Sequence, residues 1–156
     1  PDIRDDVDSF KGVPYRLQTI GTKNGVEFIN DTTSTTPVSE IAALKALQDR
    51  EILLVAGGAD KKLDLTDFAE TASNMATKIA LLEGTATPEL HRKLIKFGSA
   101  AKITGIFGDM KSAILSLFLD AKPGQAVLLS PACASFGLFR NEFHRGEIFD
   151  RIFEEL

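Results

Sequence analysis

The 156-residue chain holds one cysteine, no tryptophan, one tyrosine, two histidines and two methionines. A single thiol cannot close an internal disulfide, so packing alone must hold the fold, and a reducing compartment is the natural setting. Two histidines and one cysteine, with no H-x-x-H or C-x-x-C spacing, argue against a protein-built metal site. No apolar run approaches the roughly 18 residues that a membrane helix needs. The net charge of -4 is spread along the chain, and no Lys/Arg cluster forms the footprint expected of a nucleic-acid binder. The pattern G-x-x-x-x-G-K-[ST] is absent, so these residues contain no P-loop. The expectation is a cytoplasmic protein that engages neither membrane nor nucleic acid.

What is present is ordinary globular material, 44% hydrophobic and 26% charged, enough for one domain. The start, "PDIRDDVDSFKG", is an acidic lead-in or linker over residues 1–12, with neither methionine nor a signal-like segment. A piece of a longer chain is expected, with its domain at 13–156. Leu17 to Gly21 and Val26 to Asn30 are short β-forming runs around "TKNG", which predicts an antiparallel hairpin. Beyond it, helical stretches alternate with apolar runs at Glu51 to Ala56, Thr77 to Glu83, Lys102 to Phe107 and Gln125 to Ser130. Runs this continuously apolar suit parallel strands covered on both faces. The predicted fold class is α/β: a Rossmann-like three-layer sandwich, mostly parallel, with an N-terminal antiparallel hairpin.

In such sheets, ligands sit where strand ends lead into helices. "NDTTSTTP", "GGADKK" and "SPACASF" stand at those positions, with "GIFGD" a weaker fourth. The first offers Thr35 or Thr36 as a helix N-cap ahead of Pro37, which explains it without a ligand. Alternatively, its hydroxyls and amide groups hold an anion, with Asp31 accepting from a sugar hydroxyl. Gly57-Gly58 marks a sharp turn or a close approach. Cys133 could be a nucleophile only with an activating base, and His91 and His144 are the available histidines. A small buried residue is the better reading of it. The C-terminal "FRNEFHRGEIFDRIFEEL" reads as an amphipathic helix with a phenylalanine stripe, interrupted by Gly146.

Together, "NGVEFINDTTSTTP", "LLVAGGADKKLDL" and "PGQAVLLSPACASFGLFRNEFHRG" resemble the C-terminal domain of the Mur ligases, most closely in the glutamate-adding branch. "FKGVPYRLQ" resembles that family's "GLPHR" segment, with Tyr15 in place of the usual histidine. The resemblance implies a domain that closes over a separate ATPase domain carrying the P-loop and the magnesium ligands. It implies ATP and Mg as cofactors, and UDP-N-acetylmuramoyl-L-alanine and glutamate as partners, joined through an acyl phosphate. A monomer is expected. Arg16 and Asp31 would contact the nucleotide. Thr33, Thr35, Ser135, Phe136, Asn141 and Glu142 would form the amino-acid pocket, and no catalytic residue would lie in this domain.

Within that pocket, two positions depart from the family pattern. Thr33 stands where a lysine is usual, and Glu142 where an aromatic follows Lys-Asn. Such a change swings the local charge by about two units, and a desolvated carboxylate without a partner costs several kcal/mol. Arg140 or Lys61 could restore the charge, or the substrate could be held differently, as in ligases that take L-glutamate. A binding module without catalysis, and a hydrolase using Cys133, are the readings from other classes.

Overall fold

The structure, a computed structural model, describes residues 12–156. The expected lead-in falls almost wholly outside the described residues. Six strands run β1 (Gln18–Lys23), β2 (Val26–Asn30), β3 (Glu51–Ala56), β4 (Ala76–Leu82), β5 (Ile103–Phe107) and β6 (Gln125–Leu129). The helices are α1 (Pro37–Ala46), α2 (Thr66–Met75), α3 (Thr87–Lys96), α4 (Met110–Phe118) and α5 (Glu142–Glu155), with a 3-10 turn at Ala100–Lys102. The sheet order is β1-β2-β6-β3-β4-β5, and every pairing is parallel except that of β1 with β2. Asn24 and Gly25 turn the hairpin with φ of 52° and 76°, as a two-residue turn matching strand twist requires.

The apolar runs divide by strand alternation. Ile52, Leu54, Ile79, Leu81 and Leu128 face one core with residues of α1, α2 and α3, including Leu44, Phe68 and Leu90. Leu53, Val55, Leu82, Val127 and Leu129 face a second core beneath α4 and α5. Phe28 anchors that second face, packed against Phe118, Phe149 and Phe153 at centroid separations of 5.5, 6.0 and 5.0 Å. This is the expected three-layer, mostly parallel sandwich. The parallel strands end at one edge, which brings the loops after β2, β3, β4 and β6 together.

α5 starts later than the phenylalanine stripe suggested. Asn141 caps it, accepting from the His144 N–H at 2.8 Å, so Phe139 precedes the helix. Phe149 is fully buried, whereas Phe143 remains 52% exposed.

Candidate functional site

The small residues after β6 let loops approach one another. Ala59 and Ala134 exchange two backbone hydrogen bonds of 2.9 and 3.2 Å, joining the β3 and β6 loops. Gly57 N–H donates to the Pro131 carbonyl at 3.0 Å, and Ala132 N–H donates to the Ser34 carbonyl at 3.0 Å. A Cβ at Gly58 would lie 2.4 Å from the Ala134 carbonyl oxygen, so only glycine admits this approach. The run Ala132-Cys133-Ala134 therefore serves a three-loop junction rather than an open wall.

Two cavities flank that junction. One, of about 330 Å³, lies between the turn before β1 and α1, with Arg16, Asp31, Thr33 and Ser39 as polar lining and Ala42, Ala43 and Ala46 as an apolar wall. Its volume falls in the range of small-molecule sites. Asp31 is 4% exposed. Its Oδ1 accepts from the Leu17 N–H at 3.0 Å and its Oδ2 from the Ser130 hydroxyl at 2.7 Å. Burial raises its pKa, while those two bonds and the Arg16 charge work in the opposite direction. Tyr15 and Leu17 both lie in the left-handed region, with φ of 62° and 41°. Non-glycine residues are rare there, so the turn carrying exposed Arg16 is held by its surroundings, the Asp31 bond among them.

The second is a narrow crevice where Gly57, Gly58, Ser135, Phe136 and Arg145 meet. Ser135 is buried and Phe136 is 68% exposed at its mouth. Nearby, Lys61 Nζ donates to Thr35 Oγ1 at 3.0 Å, which brings a cation onto the predicted amino-acid loop. Arg140 is exposed and its N–H donates to His144 Nδ1 at 3.1 Å.

The expected pocket is thus divided. Thr33 lines the Arg16–Asp31 cavity, and its hydroxyl donates to the Tyr15 carbonyl at 2.8 Å. Thr35 faces Lys61 instead. Glu142 meets Thr32 rather than Thr33, through its main-chain carbonyl at 2.7 Å from Thr32 Oγ1.

Arg145 was not singled out by the sequence. It is fully buried and donates to Thr32 Oγ1 at 3.0 Å, the Thr32 carbonyl at 2.8 Å and the Cys133 carbonyl at 3.1 Å. Burial lowers its pKa to about 10, against the opposing influence of Cys133 and Glu142, so it remains charged at neutral pH. Its only signal was a helical position flanked by Gly146. Burial also pushes the Cys133 thiol up to about 12, which removes the thiolate that a cysteine hydrolase needs. Among the described residues, no group of three or more His, Cys, Asp or Glu is gathered for a metal, and no helix is long and apolar enough to cross a membrane.

A Rossmann-like sheet with one ligand-sized cavity and a narrow crevice along one strand-end edge places this domain in the α/β class, whose ligands sit at such edges. The chain belongs to the family described as Mur ligase, glutamate ligase domain, which matches residues 15–133. It is 46% identical over 152 residues to the UDP-N-acetylmuramoylalanine–D-glutamate ligase of Roseiflexus sp., covering 97% of this chain and 32% of that protein. It is 39% identical over 151 residues to the ligase of the same name from Borreliella burgdorferi, covering 95% of this chain and 32% of that protein. The chain spans about a third of the length of these relatives. The fold matches the murein peptide ligase of Psychrobacter arcticus with a TM-score of 0.65 at 18% identity, over 97% of this chain and 31% of that one.

Proposed function

We propose that this chain is the C-terminal, amino-acid-binding domain of a UDP-N-acetylmuramoyl-L-alanine:D-glutamate ligase of the MurD type, working in the cytoplasm in peptidoglycan synthesis. The observation that carries it is the family match together with relatives of that name at 39 and 46% identity. Those relatives favour D-glutamate over its enantiomer, and favour a ligase over a binding module without catalysis.

The geometry supports a division of labour. Arg16 and Asp31 hold the nucleotide: the guanidinium offers charge to phosphate, and the free lone pairs of the Asp31 carboxylate can accept from a ribose hydroxyl. The cavity's size and its mixed lining fit such a group, whereas nothing among the described residues is arranged to hold magnesium. ATP with magnesium, when bound, supplies the activation of the substrate carboxyl as an acyl phosphate. Lys61 and Thr35 take a glutamate carboxylate, with Ser135, Phe136, Asn141 and Glu142 bordering the same end. Holding the amine against the activated carboxyl replaces a bimolecular encounter with a positioned one, which can supply much of the rate.

The test uses the longer protein that carries this chain, incubated with ATP, UDP-N-acetylmuramoyl-L-alanine and each glutamate enantiomer. Phosphate release dependent on D-glutamate is expected. Release with neither enantiomer, from a protein whose upstream region has an intact P-loop, would overturn the assignment. Release with L-glutamate alone would overturn only the enantiomer.

A further inference from the structure

Glu40 lies on the buried face of α1 and has no exposed surface. Neither of its carboxyl oxygens has a hydrogen-bond partner among the described residues. The Ser130, Asp31 and Cys133 side chains are near enough to influence its charge, and none of them is hydrogen-bonded to it. The proton of Ser130 is already committed, donated to Asp31 Oδ2 at 2.7 Å. Only lone pairs remain on that oxygen, so Glu40 can bond to it only by donating, as an acid. Ionised, Glu40 would instead compete with Asp31 for the single Ser130 proton, as an unpaired buried charge facing a second carboxylate.

We propose that Glu40 works as a neutral carboxylic acid that completes the chain Glu40–Ser130–Asp31, and so positions the Asp31 carboxylate for a nucleotide hydroxyl. This rests on the nucleotide reading of the Arg16–Asp31 cavity. Glu40 is a positioning residue, acting two groups away from the ligand. Its pKa is raised well above the ordinary value, chiefly by burial and further by Asp31, and Ser130 would lower it only by turning its hydroxyl from Asp31 to Glu40. Of the groups around it, Arg16 acts on Asp31, and Arg145 acts on Cys133. α2, packed beside α1, buries Phe68, Ala69, Ala72 and Ser73, none of which titrates at these pH values.

The test follows the KM for ATP of the longer protein from about pH 6 to pH 10. The native enzyme should show a KM that rises about tenfold as Glu40 ionises, the size of one hydrogen bond. Glu40→Gln keeps a permanent donor toward Ser130 and should flatten that rise, with the KM for glutamate unchanged. Independently of activity, the carbon-13 shift of the Glu40 carboxyl should report a protonated acid at pH 7, and this needs no variant to fold. An ionised Glu40 at pH 7, or the same KM profile in native enzyme and Glu40→Gln, would overturn the proposal. Asp31→Asn separates the two levels: if it leaves the KM for ATP unchanged, the cavity reading fails and takes the positioning role with it.

Discussion

Gly146 sits inside α5, where alanine would ordinarily gain about 1 kcal/mol over glycine. Here a Cβ would lie 2.6 Å from Thr32 Cγ2 and 2.8 Å from Tyr15 Cδ1, distances that real Cβ atoms essentially never show. The half-buried tyrosine ring can move, but Thr32 cannot. Its N–H donates to Asn30 Oδ1 at 3.2 Å, its carbonyl accepts from Arg145 at 2.8 Å, and its hydroxyl bonds both Arg145 and the Glu142 carbonyl. The helix must therefore withdraw, stretching the Arg145 bonds and the Asn30 Nδ2 bond to the Gly146 carbonyl, now 3.0 Å. Overpacking costs about 1–3 kcal/mol and a weakened hydrogen bond about 1 kcal/mol. After the helical gain is subtracted, Gly146→Ala should destabilise by about 2 kcal/mol, or about 4–8 °C in Tm for a domain of this size. Urea denaturation followed by circular dichroism on this chain measures it. Thr32→Ser, which removes Cγ2 and keeps the hydroxyl, should rescue the variant with a coupling of about 1 kcal/mol. A Gly146→Ala protein as stable as the native chain or more so would refute the clash, and an additive cycle would refute Thr32 as its source.

Glu40→Met removes a buried carboxyl that is left without a partner once ionised, while keeping its shape, so it should stabilise the chain by about 1–3 kcal/mol once the pH is high enough to ionise Glu40. The sign follows from a folded pKa raised above the unfolded one: native stability is full below the ordinary glutamate value and falls by about 1.4 kcal/mol per pH unit as pH rises toward Glu40's own. Denaturation curves across that window should slope in the native chain and nearly flatten in Glu40→Met, with a residual slope of the same sign from Asp31. Cys133 should resist iodoacetamide at pH 7 in the folded chain and react on unfolding, and rapid labelling of native protein would contradict its burial. In the longer protein, Lys61→Met should raise the KM for glutamate about tenfold or more. Thr33→Lys should alter the KM for ATP while leaving the ratio of D- to L-glutamate use unchanged, and a shifted ratio would return Thr33 to the amino-acid pocket.

Much of the fold was legible because strand and helix periods differ so clearly. "EILLVA" and "QAVLL" are apolar at successive positions, and the sheet uses both parities, one for each core. Turn chemistry located the hairpin for a similar reason, since Asn-Gly readily takes the positive φ that the turn demands. Long-range partnership was not legible. Nothing in "FHRGEIF" says that Arg145 reaches back 113 residues to Thr32, because periodicity reports a helix face without naming its partner. Glu40 was hidden similarly: an acid in the first turn of a helix looks like ordinary dipole compensation until its burial is known.

Thr33, where the resemblance implied a lysine, illustrates why adjacency in sequence misleads at such an edge. Successive residues of the β2 loop turn to different neighbours: Thr32 to α5, Thr33 to the turn before β1, and Thr35 to Lys61 of the next loop. Thr33 therefore borders the cavity with Arg16, whose cation already serves that side. Lys61 serves the other, and the Arg145 charge lies beneath the junction between them, held by neutral oxygens. Glu142 spends its main chain on Thr32 and acts on Arg145 electrostatically, so its carboxylate tempers a buried positive charge. Cations from two loops and a helix thus stand along this edge. The two-unit swing expected for a single pocket is spread over separate elements of this structure.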